Sequence, residues 1–265
     1  MMEIAKNHNL IVINDAAEAV GAKYKNKDMA ICGHIASFSF ENSKHLTTGD
    51  GGIITTNSDS LALEARSFCN LGSTSVRSGD GRIRDAKDQR SKDKFQNPNY
   101  QRCDSLGLNY RMPEVAAAIG LAQLEKADLY VKKRINIANM YLDCIDNCEW
   151  LVPQKVPFDF KHSYWTFAVK MINPNIDWQD FRIKYIENGG DGIFAAWKVV
   201  YDEPIIKNGI WKKHLPHLYD NIKFEKCKNA ELLQKQLMQF VNNYETDLEA
   251  EKKVAALSKT IKYFN

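Results

Sequence analysis

The apolar positions along the chain set out a series of elements. "LIVIND" carries a continuous apolar run, Leu10 to Ile13, of the kind buried on both faces of a parallel sheet. Ahead of it, Met2, Ile4 and Ala5 stand among polar neighbours and read as the end of a helix over Met1 to Asn7. "HIASFSF" alternates like a strand from Ala36 to Phe40, and "GGIITT" gives another from Gly52 to Thr56. Ser58 to Asn70 reads as a helix capped by Ser58 or Ser60. From Pro113, a residue suited to a first helical turn, apolar positions recur at Val115, Ile119, Leu121, Ala122 and Leu124. The rhythm continues through Leu129, Ile135, Ile137 and Tyr141 to about Ile145. A periodic stretch of that length links two domains or is two helices meeting at a bend. Beyond it "HSYWTFAVKM" reads as a strand. "DWQDFRIKYIENGG" reads as a helix capped by Asp177 and stopped at Gly189 and Gly190. The fold class is therefore α/β, with residues 1–146 forming one domain that includes the long linking helix. Residues 147–265 form a small α+β domain.

Between these patterned segments, Gly72 to Asp104 is polar, rich in Ser, Asp, Arg and Lys. It is long for a simple connection, so it reads as a solvated loop, a lid or a partly disordered segment. Its basic residues outnumber its acids, which would suit a phosphate-bearing ligand.

Composition narrows the function classes. The chain has 265 residues, enough for a sizeable core, and its formal net charge of +3 is too small to argue for nucleic acid or a membrane surface. No apolar run has the roughly 20 residues that span a bilayer, and "MMEIAKNHNL" lacks the apolar centre of a signal peptide. Six cysteines are scattered without CxxC spacing. Cys144 and Cys148 lie one helical turn apart, as helix packing would have them, so no metal site is expected. Free thiols fit a reducing cytoplasm.

The candidate chemistry lies in "LIVINDAAEAVGA" and "SFSFENSKHLTTGDGG". Asp15 ends the first strand, and in open α/β sheets ligands collect at the carboxyl ends of strands. Taken alone, such an aspartate is most often a helix cap or a turn residue. Glu18 follows three residues on, Ser39 sits on the second strand, and Lys44 lies on the loop before Thr47, Thr48, Gly49, Gly51 and Gly52. A lysine, a strand-end carboxylate and a hydroxyl match what pyridoxal phosphate requires. The lysine forms a Schiff base, the carboxylate keeps the pyridine nitrogen protonated, and the hydroxyl donates to the phosphate.

Three longer motifs make the resemblance specific. "VINDAAEAVGA", "ASFSFENSKHLTTGDGGIITTN" and "GLNYRMPEVAAAIGLAQLEK", in that order, resemble the DegT/DnrJ/EryC1/StrS sugar aminotransferases. These are fold-type-I pyridoxal phosphate enzymes acting on keto groups of nucleotide-linked sugars. The resemblance implies the carboxyl-terminal part of a fold-type-I large domain, a mixed sheet flanked by helices, followed by a small α+β domain. Lys44 resembles the cofactor-attaching lysine, Asp15 the partner of the pyridine nitrogen, and Ser39 a phosphate ligand. Glu18 stands where the family often has a glutamine near the ring. Asn109 resembles the asparagine that reaches the phosphate in the neighbouring subunit, which implies a homodimer with shared sites. The implied reaction is ping-pong transfer of an amino group from an amino acid, glutamate in most of the family, to a keto-sugar. The products of that chemistry feed polysaccharide biosynthesis.

The family usually begins earlier than this chain does. The resemblance therefore implies an amino-terminally shortened chain, without the first strands, the phosphate-binding turn and the aromatic residue that stacks on the ring. The competing readings are an inactive or split fragment that only folds or dimerises, and a pyridoxamine phosphate-dependent sugar dehydratase. The dehydratase branch carries histidine at the lysine position, whereas here His45 follows Lys44. Trp197, Lys198 and Tyr201 are secondary candidates for substrate contact or loop packing. Arg111 is expected to brace the "NYRM" turn, and His214 and His217 read as surface residues.

Overall fold

The computed structural model describes residues 1–73, 97–99, 101–214 and 225–265. Most of the polar stretch expected to be a loop or lid, and His217, lie outside the described residues. Contacts divide the chain into two compact units, residues 1–131 with 158–163 and residues 132–157 with 164–265.

The first unit opens with α1 (Met2–Asn7) and β1 (Ile13–Asp15). Two short strands follow, β2 (Lys23–Tyr24) and β3 (Lys27–Asp28), then β4 (Ile35–Ser39) and β5 (Gly52–Thr55). β1 and β4 pair in parallel, with Asp15 opposite Ser37, and β5 pairs antiparallel with β4, giving a mixed sheet in the order β1-β4-β5. The expectation of a doubly buried strand at Leu10 to Ile13 is corrected. The strand begins only at Ile13, and Leu10, Ile11 and Ile13 are exposed. β1 is an edge of the sheet among the described residues, so a run suited to burial on both faces has a neighbour on one side only.

Helix α2 (Asp59–Cys69) starts where the serine predicts, with Ser58 Oγ accepting from the Leu61 amide. The long periodic stretch is two helices, α3 (Glu114–Leu124) and α4 (Ala127–Ile145), with a break at Glu125 and Lys126. The apolar positions of α3 are not buried: Val115 is 76% exposed and Leu121 66%. Helix α4 crosses the boundary between the units, giving Val131 to the first and Ile137, Ala138, Tyr141 and Ile145 to the core of the second.

The second unit is a small α+β domain with its own core. β6 (Leu151–Pro153), β8 (Phe167–Met171), β9 (Phe194–Ala195) and β10 (Leu237–Phe240) form an antiparallel sheet in the order β6-β8-β10-β9. The strand β7 (Phe160–Lys161), between β6 and β8 in sequence, pairs instead with β2 in the first unit. Phe167, Val169 and Met171 alternate inward from β8, and Met238 and Phe240 from β10. Helices α5 (Trp178–Glu187) and α8 (Asp247–Phe264) pack together in this core. Short helices α6 (Pro204–Lys207) and α7 (Lys228–Gln234) lie between them in sequence. Asp177 caps α5 through the Gln179 amide at 2.7 Å, and Gly189 follows its end with φ +97°. Thr246 caps α8 through the Glu249 amide, the start of a T-x-x-E pattern. Phe240 meets Phe181 and Tyr185 edge to face, and each such buried ring contributes about 1.5–3 kcal/mol. Arg134 is buried with them, donating to the Trp165 carbonyl at 2.6 Å and to Asn242 Oδ1 at 3.0 Å, and burial pulls its pKa down to about 10.

Candidate active site

The site forms where two chain segments leave the carboxyl ends of β1 and β4. Ala16 continues the ladder by donating to the Ser37 carbonyl, and the chain then turns, with the Ala19 amide bonded to the Ala16 carbonyl. Asp15 Oδ1 accepts from the Ala17 amide at 3.1 Å, so the carboxylate holds the turn while staying exposed. The turn carries Glu18 back toward the sheet end, where its Oε1 meets Lys44 Nζ at 2.9 Å. The lysine side chain is 14% exposed and the glutamate side chain 51%, so the ammonium is largely covered while its partner faces solvent.

Lys44 is set in place by its own loop. Glu41 Oε2 accepts from the Ser43 amide and hydroxyl, at 2.9 and 2.6 Å, and the Lys44 amide closes a turn on the Glu41 carbonyl. Those two bonds from Ser43, with a smaller contribution from the Lys44 charge, hold the Glu41 carboxyl below its ordinary range. Ser39, the last residue of β4, accepts from the Glu41 amide at 3.2 Å, which leaves its hydroxyl proton for another acceptor.

The glycines after Lys44 bring the loop onto its own backbone. A Cβ on Gly52 would stand 2.6 Å from the Phe38 carbonyl, and one on Gly51 would meet Thr48 Oγ1 at 2.6 Å. Phe40 exchanges backbone bonds with Gly51 and Thr48, Thr47 accepts from Gly49, and Thr48 donates to the Asp50 carbonyl. The small residues therefore close a compact loop between β4 and β5.

Asn109 stands apart from this group. Its side-chain oxygen accepts two bonds from Arg111, Nε at 3.2 Å and a terminal nitrogen at 3.1 Å, so the expected brace on the "NYRM" turn is present. That pairing engages the carboxamide oxygen of an exposed residue. Tyr201 is loop packing in the second unit, bonded to Glu231 and to the Cys227 amide. Trp197 is 90% exposed, and His214 lies at the surface. A cleft of about 1030 Å³ runs along β5, lined by Ile54, Arg66, Tyr110, Arg111 and Met112 among others. Asp15, Glu18, Ser39 and Lys44 do not line it, so the chemistry and this cleft are separate features.

Sequence reasoning missed two supports of the site. One is the Glu41 carboxylate that shapes the loop. The other is the contact of His45 Nε2 with the Ser163 carbonyl at 3.0 Å, across 118 residues. No local pattern signals either, although the burial of His45 marks it as more than a bystander.

The profile of the DegT/DnrJ/EryC1/StrS aminotransferase family matches residues 1–257. The chain belongs to that family. It is 36% identical over 173 residues to the GDP-perosamine synthase of Caulobacter vibrioides, an alignment covering 64% of this chain and 40% of that protein. The aminotransferase from Psychrobacter cryohalolentis superposes with a TM-score of 0.78 at 25% identity, over 99% of this chain and 64% of that one. The E. coli GDP-4-keto-6-deoxy-D-mannose-3-dehydratase, solved with bound hydrated pyridoxal phosphate, has the same fold at TM-score 0.74 and 21% identity, over 98% of this chain and 62% of that one. The chain thus spans less than half the length of the curated relative and under two thirds of these structures. Its fold is that of the fold-type-I aminotransferases. Among the described residues no helix is long and apolar enough to cross a membrane, and no group of three metal-ligating side chains forms.

The family's cofactor fits the donor set. A carboxylate and a hydroxyl end β1 and β4, and a second carboxylate and an amine stand on the turns that follow them. Lys44 would be the group to take the aldehyde, Asp15 the carboxylate for a ring nitrogen, and Ser39 the hydroxyl for a phosphate oxygen. Glu18 is the departure, a second negative charge where the family often has a neutral amide.

Proposed function

We propose that the protein transfers an amino group from an amino acid, glutamate in the first instance, to a keto group of a nucleotide-linked sugar. The single observation that supports this most is the covered Lys44 amine held 2.9 Å from Glu18 in a chain of the sugar aminotransferase family. When bound, pyridoxal phosphate supplies an aldehyde for an amine and a ring that accepts the electron pair left as a substrate C–H bond breaks.

The residues of this chain do the rest. Asp15 would set a carboxylate at the end of β1 against a protonated ring nitrogen. Lys44 would take the proton from the substrate carbon as general base and hand it on as general acid. Glu18 holds the Lys44 side chain through its Oε1 at 2.9 Å. Ser39 would donate its hydroxyl proton to the phosphate. Asn109, exposed beside Leu106 and Tyr110 at 91% and 66%, supports a homodimer in which each subunit's asparagine serves the other's site. A cytoplasmic setting is in keeping with the free cysteines.

Lys44 also weighs against dehydration. An amine occupies the position, and the adjacent His45 is buried against the Ser163 carbonyl rather than standing in the lysine's place. The test is to reduce the protein with borohydride in the presence of pyridoxal phosphate and map the label, then to follow amino transfer from glutamate. Label on Lys44 with ketoglutarate formed is the expected result. Label on Lys198 or another lysine overturns the assignment.

A further inference from the structure

His45 is 4% exposed and Ser163 1%, and the 3.0 Å contact between them links the Lys44 loop to a distant part of the chain. A carbonyl oxygen only accepts, so His45 Nε2 carries the proton and donates. Ser163 ends the segment Phe158–Ser163, which belongs to the first unit although its neighbours in sequence on both sides belong to the second. That segment is fastened to the unit at its other end. Phe160 and Lys161 pair with Tyr24 and Lys23, the Lys25 amide donates to the Asp159 carbonyl at 2.7 Å, and the Tyr24 and Phe160 rings lie 4.7 Å apart. Tyr24 in turn follows the turn that carries Glu18. The contacts therefore close a ring, from Lys44 to Glu18, along the chain to β2, across to β7, on to Ser163, and back through His45 to Lys44.

We propose that His45 is a positioning residue, and that Phe158–Ser163 acts as a strap which sets the place of the Lys44 amine through it. The claim rests on the reading of Lys44 as the cofactor-attaching lysine, and it adds what holds that lysine in register. Within the loop, the Lys44 amide bonds to the Glu41 carbonyl and the Thr48 amide to the Phe40 carbonyl. Those bonds are local to the loop, and the imidazole, the residue next to the lysine, ties it to a segment 118 residues away. Small displacements of a reacting group are costly because the reaction requires atoms at contact distance.

The test compares wild type, His45→Ala and His45→Gln, since a glutamine amide can still donate to the Ser163 carbonyl. Each is mixed with pyridoxal phosphate, and the visible absorption of the cofactor–lysine linkage is followed in time. His45→Ala should slow loading by about tenfold or more, and His45→Gln should recover most of the rate. Phe160→Ala loosens the strap without touching the loop, and it should slow loading too. Its effect should be less than additive with His45→Ala if both act through one path. Equal loading in all variants overturns the proposal, as does a glutamine variant as slow as alanine. Should His45→Ala fail to fold, unchanged loading in Phe160→Ala overturns it. Acetylation of Lys44 by acetic anhydride without cofactor separates this claim from the proposed function. His45→Ala, or Phe160→Ala if that variant does not fold, should change the acetylation rate several-fold even if the wild type takes no cofactor label on Lys44. An unchanged rate sinks the positioning role whatever the cofactor.

Discussion

Lys44 Nζ lies 2.9 Å from Glu18 Oε1, joining two turns that are 26 residues apart in the chain. The pair has one covered and one half-exposed member, so its worth to stability is small while its effect on the amine is local. Glu18→Gln keeps an acceptor near Lys44 and removes the charge. Urea denaturation should show a change of about 1 kcal/mol or less. A loss of several kcal/mol would mean that the carboxylate is part of the fold rather than of the site.

Asp15→Asn probes the other carboxylate. The amide oxygen can still accept from Ala17, so the turn should persist and the cofactor should still attach to Lys44. Turnover should nevertheless fall by about 10²–10³-fold, as when a preorganised partner of a developing charge is removed. Near-normal turnover, measured on protein with the cofactor attached, would reduce Asp15 to a turn residue.

The glycines after Lys44 should differ in what they tolerate. Gly52→Ala pushes a methyl to 2.6 Å from the Phe38 carbonyl inside the β4–β5 pair, a backbone contact that cannot move aside. It should cost about 1–3 kcal/mol and disturb the loop that carries Lys44. Gly49 has φ +85° with nothing within 4 Å of an added Cβ, so Gly49→Ala carries only the left-handed strain, about 1–2 kcal/mol. Chemical denaturation of the two variants checks the order, and a harmless Gly52→Ala would contradict the tight β4–β5 approach.

The second unit should lose stability in alkali. Burial, more than any neighbour, pushes the phenols of Tyr141, Tyr185 and Tyr244 far above their ordinary value near 10. They also bond in a chain, Tyr141 to Tyr185 and Tyr244, and Tyr244 to Asp191 at 2.6 Å. Below pH 10 the hydroxyls are neutral in both folded and unfolded chains, and their contribution is fully present. Above pH 10 only the unfolded chain ionises, so stability falls as pH rises toward the folded values. Phenolate absorbance should appear together with unfolding. Titration of all the tyrosines with the fold intact would contradict the buried cluster.

Local pattern made much of the architecture legible. Ser58, Asp177 and the glycines after α5 act as their residue types require, because a cap needs only a side-chain oxygen within a few residues of a free amide. β4, β5 and β8 lie where the strand-like runs of the sequence place them, and β8 buries every second residue. The burial of Leu10 to Ile13 did not follow, since an apolar run does not say whether a neighbouring strand is there to cover it. Nor did the burial of Val115 and Leu121, which have helical spacing and an exposed face.

The candidate site divides in the same way. The sequence by itself determined the residue types, an amine on a glycine-closed loop and a carboxylate at a strand end, and through three ordered motifs the family to which they belong. Only the tertiary structure decided that Glu18 meets Lys44, that Arg111 orients Asn109, and that Phe158–Ser163 crosses back to the first unit beneath His45. Such contacts join residues far apart in the chain. Their energies depend on three-dimensional distance, which no local periodicity encodes.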